Sequence, residues 1–135
     1  MTGPNYDVMR KNALASAKEA NDQSFRWENS FHDCMTDYII KNVKVPLSPS
    51  VSASEFAEAA LSQCQEPLNS YAEYRKLYHL EISSASVYGT NFDIGKVIER
   101  SDYKARLDRQ ELTEQGKRLA ISKTIELSNL RNISH

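Results

Sequence analysis

Cys34 and Cys64 are the only cysteines in the chain. Two chemistries are open to them: they join as a disulfide, or they stay apart as small buried thiols. Each stands on an apolar stripe. Ala17, Ala20, Ser24, Trp27, Phe31, Cys34 and Tyr38 advance by threes and fours, and so do Ala57, Leu61, Cys64, Leu68, Tyr71, Arg75 and Tyr78. That spacing puts each set on one helical face. Two such helices joined by a short link can pack antiparallel with the sulfurs facing. A bond needs alpha carbons roughly 4.4 to 6.8 Å apart, closer than the usual helix spacing of about 8 to 10 Å. Ala57, Ala60 and Ser30 are the small neighbours that would allow the approach. The closed loop would stabilise the fold by about 3 to 4 kcal/mol. Buried free thiols fit the same placement, so the sequence leaves both readings open.

Other reactive types fall short of a site. In Phe31-His32-Asp33-Cys34 a base adjoins a thiol, but neighbours on a helix point about 100° apart, so His32 leaves the face that carries Cys34. Glu28 and His32 share a face at four residues' spacing. A helical metal centre would need that pattern repeated on a second helix, and it is not; no Cys-x-x-Cys occurs either. The sequence therefore predicts neither a metal nor a cofactor. Glycine-rich phosphate loops are missing. The basic residues between Lys96 and Arg118 alternate with Glu99, Asp102, Asp108, Glu111 and Glu114, so no nucleic-acid patch is expected. Glu55 and Glu58 read as helix-dipole partners rather than an acid–base pair.

Two sets of polar residues stand out as binding candidates. Arg75 and His79 lie four residues apart, and a charged residue on an apolar stripe needs a partner, which makes them the candidate ligand site. Tyr74, Tyr88 and Tyr103 are the interface candidates. Tyrosine offers apolar area with a polar tip at low entropy cost. Tyr71 and Tyr78 read instead as stripe residues.

The elements that must hold these residues are helical. Asn5 is placed to cap a first helix running from after Pro4 to about Lys41, with a weak stretch at Asn21 to Ser24. Its expected core face carries Phe25, Trp27, Phe31, Met35, Tyr38 and Ile39. Val45 to Ser54, with Pro46, Pro49 and several serines, reads as a flexible linker. Ser52 with Glu55 forms a capping box for the next helix. At Pro67 that helix must kink or restart with the proline in its first turn. The pattern stays helical to about Ile82 and stops near Gly89. Thr90 or Asn91 is expected to cap the helix after that stop. A charged helical face spans 96–118, and a last helix spans 110–130, weakened by about 1 kcal/mol at Gly116. A frayed tail is expected over 132–135.

These elements predict a single all-α domain over residues 1–135, a small bundle of four to five helices with one disulfide as an optional staple. With only 4 Gly and 4 Pro, an all-β fold rich in tight turns is disfavoured. No apolar run reaches the roughly 18 residues of a transmembrane helix. The first ten residues lack the character of a signal peptide, so the chain reads as cytoplasmic, or as the mature form of a periplasmic or secreted protein if the disulfide forms. The favoured reading is a non-catalytic helical module that binds another protein, such as an exported inhibitor, immunity or adaptor protein. The alternative is a cytosolic helical enzyme or small-ligand binder with its site assembled between helices. A homodimer through the long first helices stays open.

Overall fold

The computed structural model describes residues 5–43 and 52–133, with side chains through residue 129. Four helices make up the fold: α1 Tyr6–Asn42, α2 Ala53–Gln63, α3 Gln65–Val87 and α4 Ile94–Ile133. Local chemistry sets most of their ends. The Asn5 side chain accepts a hydrogen bond from the Val8 amide at 3.1 Å and starts α1. The Ser52 hydroxyl accepts from the Glu55 amide at 3.2 Å and starts α2, so Ala53 and Ser54 are already helical. The rest of the expected linker, 45–51, lies outside the described residues. At Cys64 the helix breaks and restarts, which puts Pro67 in the first turn of α3, where a missing amide proton costs nothing.

Three expectations are corrected. Helix α1 runs unbroken through Asn21 to Ser24: Ala20 and Ser24 are buried against the bundle, and the Ser24 hydroxyl is satisfied by the Ala20 carbonyl at 2.9 Å. The start of α4 is held by Asp93, whose Oδ1 accepts from the Gly95 amide at 2.9 Å; the Thr90 hydroxyl donates backwards to the Val87 carbonyl instead. The two segments read over 96–118 and 110–130 are one continuous helix that passes through Gly116 and extends over 132–133, while 134–135 lie outside the described residues. Among the described residues Gly89 is the one glycine with positive φ, 83°, and it follows the end of α3.

Contacts along the chain give the topology. On α1, Cys34 meets Cys64, Asn21 meets Arg75, and Arg10 donates to the carbonyls of Ala85 and Tyr88. On α4, Lys117 meets Glu58, Arg109 meets Asn69, and Asp102 meets Lys76. In both series the residue numbers rise on one helix as they fall on the other. Helices α2 and α3 therefore act as one broken middle helix, antiparallel to both α1 and α4. Glu58 also raises the Lys117 amine above its ordinary pKa, first through the hydrogen bond and then through its charge.

The core is uneven along this axis. At the disulfide end, Phe31, Met35, Ile39, Leu68 and Leu112 are fully enclosed, with Ala57, Ala60 and Cys64 packed among them. At the other end, the buried residues are Ala13, Ala17, Ala20, Ser24, Ala85, Val97, Ser101 and Ala105, nearly all of them small. Buried Ser101 and Thr124, like Ser24, satisfy their hydroxyls on carbonyls of their own helix. Phe25, an expected core residue, is instead 57% exposed. Ser30, expected beside the disulfide, is also exposed, whereas Ala57 and Ala60 are buried in one cluster with Cys64.

Candidate functional site

The sequence candidates separate into a staple, a buried polar cluster and three scattered tyrosines. Cys34 and Cys64 are bonded, with their alpha carbons 5.8 Å apart. Among the described residues no free cysteine exists. A thiolate nucleophile beside His32 is thereby removed.

Arg75 and His79 do come together, and residues that the sequence alone does not single out complete the cluster. The Arg75 Nε donates to Asp108 Oδ2 at 2.9 Å, and its Nη1 donates to Asn21 Oδ1 at 2.9 Å. His79 Nε2 lies 2.7 Å from the same Asp108 oxygen. The Arg75 guanidinium also sits 4.5 Å from the centre of the Tyr78 ring. One cluster thus fastens α1, α3 and α4, with side chains 15 to 25% exposed at its ionic members. Beside it, burial pushes the Tyr71 phenol up to about 12, opposed by the Arg75 charge and reinforced by Asp108, Glu28 and Glu111.

Arg75, His79, Asp108 and Asn21 thus each have a side-chain partner inside the cluster. Asp108 is inconspicuous in sequence because it lies in a run of alternating charges. Its phase does carry a signal: Ser101, Ala105, Asp108 and Leu112 step by four, three and four, which is the inward face of α4. Among the described residues no group of three His, Cys, Asp or Glu is arranged to hold a metal ion.

The tyrosines do not gather. Tyr74 is half-buried and lines a groove between α1 and α3 with Ser16, Glu19, Ala20, Gln23 and Leu77. Tyr88 ends α3, and its carbonyl accepts from Arg10. Tyr103 is 56% exposed on α4. A second groove, of about 470 Å³, runs between α3 and α4, with Ala72 and Ala105 among its lining and charges of both signs around them, Lys76, Arg106 and Arg109 beside Glu73, Glu99 and Asp102.

Large apolar side chains form the remaining surface feature. Tyr6, Met9, Leu14, Phe25, Ile94, Ile98 and Leu107 are exposed, and all of them lie in the half of the bundle whose interior is built from small residues. At the disulfide end, the exposed large apolar residues among those described are Ile40, Leu119 and Ile125. Among the described residues no helix is long and apolar enough to cross a membrane. No protein-family model, curated protein or solved structure matches this chain.

Proposed function

We propose that this chain is a non-catalytic helical interaction module of an oxidising compartment, in the manner of an exported inhibitor, immunity or adaptor protein. It binds another protein through the half of the bundle remote from the disulfide. The carrying observation is the inversion in that half: small residues inside, large apolar residues outside. Exposed apolar side chains that gather into a patch mark interaction sites in soluble proteins, and each large side chain covered is worth about 1.5 to 3 kcal/mol. The Cys34–Cys64 bond supports export, since such bonds persist in secreted and periplasmic proteins. Arg75 and His79 are answered from within the bundle, which supports a structural role over ligand binding.

The test is photo-crosslinking in the native source. A benzophenone side chain replaces Leu14, Phe25 or Ile98 in turn, with exposed Ser62 on α2 as the control. A discrete adduct with one protein from the first three positions, and none from Ser62, is expected. No discrete adduct from any of the three removes the reading. An adduct with a second copy of the chain would replace a foreign partner with self-association.

A further inference from the structure

In sequence, the cations at the start of α4 look neutralised by their acidic neighbours. Folding separates them. Asp102 turns to Lys76 at 3.0 Å, and Asp108 turns to Arg75 and His79, so two of the three nearby carboxylates are engaged by α3. Lys96, Arg100 and Arg106 stay on the outer face and carry no ion pair among the described residues. Together with Glu99 and Tyr103 they line one depression of about 410 Å³. Arg106 also borders the α3–α4 groove, which Ala72 and Ala105 line together with Glu73, Glu99 and the Lys76–Asp102 pair. An exposed tyrosine ringed by cations thus adjoins a furrow with small residues in its lining.

We infer that this face docks an acidic polypeptide segment carrying one bulky apolar side chain. The carboxylates meet Lys96, Arg100 and Arg106, the backbone crosses Tyr103, and the apolar side chain enters the groove at Ala72 and Ala105. This deepens the interaction reading above and rests on it. Charge complementarity selects the partner's sign, and a tyrosine among arginines is the composition of interface hot spots. Scale selects a polypeptide. Lys96 to Arg106 spans about 15 Å of helix, two to three turns, and carboxylates three or four residues apart on a partner helix repeat every 5 to 6 Å or so. A nucleic acid or an anionic membrane would draw on a longer basic face, whereas Glu99 interrupts this one and the whole chain carries a net charge of −1.

The experiment is selection from a random dodecapeptide library on the intact, disulfide-bonded chain. Selected peptides are then mapped by amide chemical shifts. Expected are peptides rich in Asp and Glu with one aromatic or aliphatic residue, shifting amides over 96–109 and 72–76. Affinity should fall at least about tenfold in Tyr103→Ala and in the double reversal Arg100→Glu/Arg106→Glu, and it should weaken with salt. A consensus without acidic residues, or affinity unchanged by the double reversal, overturns the inference. Tighter binding of an oligonucleotide or of phosphatidylglycerol vesicles than of any selected peptide also overturns it. Peptides that map to Leu14 and Phe25 instead would sink this inference and leave the broader interaction reading intact.

Discussion

Gly116 sits in the middle of α4, fully inside the bundle, and its replacement by alanine pits two known effects against each other. At an exposed helical position the change would stabilise by up to about 1 kcal/mol, because glycine is the poorer helix former. Here the added β-carbon would stand 2.4 Å from Cε2 and 2.7 Å from Cζ of Phe31. Ordinary contact begins near 3.4 Å, so the ring must retreat by about 1 Å. It has nowhere to go: Phe31 is 0% exposed and lies in the core with Met35 and Leu112. Overpacking of this kind costs about 1 to 3 kcal/mol. Set against the full helix gain, the net expectation is a loss of up to about 2 kcal/mol, seen as a drop in Tm of up to roughly 7 °C for a chain of this size. Phe31→Leu should also destabilise alone, yet combined with Gly116→Ala it should cost at least about 1 kcal/mol less than the two losses added. Thermal and urea unfolding of the four proteins measures this directly. A higher Tm in Gly116→Ala, or strict additivity, would refute the packing argument.

Other contacts yield three further expected outcomes. Replacing both Cys34 and Cys64 with alanine opens a loop with a sequence separation of 30 and should lower stability by about 3 to 4 kcal/mol, read as a shift in the urea midpoint; an unchanged midpoint would show that the bond constrains nothing. Asp108→Ala strands Arg75 and His79 in a partly buried place and should cost about 1 to 3 kcal/mol, less than a fully buried pair because these groups keep some solvent; a cost no larger than that of removing exposed Asp7 would contradict it. For Tyr71 the folded pKa, about 12, lies above the ordinary value of 10.0. The folded state therefore holds the proton that the unfolded state releases, and stability should fall as pH rises from about 10 to 12. Tyr71→Phe should flatten that fall, and phenolate absorbance should show one tyrosine titrating late; a variant with the same slope as the parent would assign the effect elsewhere.

Features decided within a few residues are legible in the chain. Asn5 and Ser52 can be read as caps because the acceptor and the amides it serves lie within one turn of each other. The disulfide is legible as an option because its two cysteines share phase with long stripes, although the stripe alone also suits free thiols. Arg75 is legible as a residue needing a partner. The partner is not, since Asp108 and Asn21 come from helices whose relative turn depends on the whole core. Phe25 misleads because aromatic residues favour interiors, whereas this half of α1 packs through Ala13, Ala17, Ala20 and Ser24. Gly116 registers in sequence as a weakness of its helix, while its space serves the Phe31 ring. The basic face of α4 is hidden for a similar reason, because Asp102 and Asp108 turn toward α3 while Glu99 stays among the cations.

The Cys34–Cys64 bond has a mechanical meaning as well. Pulled from its two ends, the oxidised chain can lengthen along the segment before Cys34 and along the segment after Cys64, but the stretch between them stays slack. That stretch holds 30 peptide steps, about 100 Å of fully extended chain, replaced by a crossing of 5.8 Å between alpha carbons. All of α4 lies on the extensible side, so tension on the C-terminus can peel it away without breaking a covalent bond. The junction of α1 with α2 is shielded from that same tension. In a force-extension trace the oxidised protein should run roughly 100 Å shorter than the reduced one.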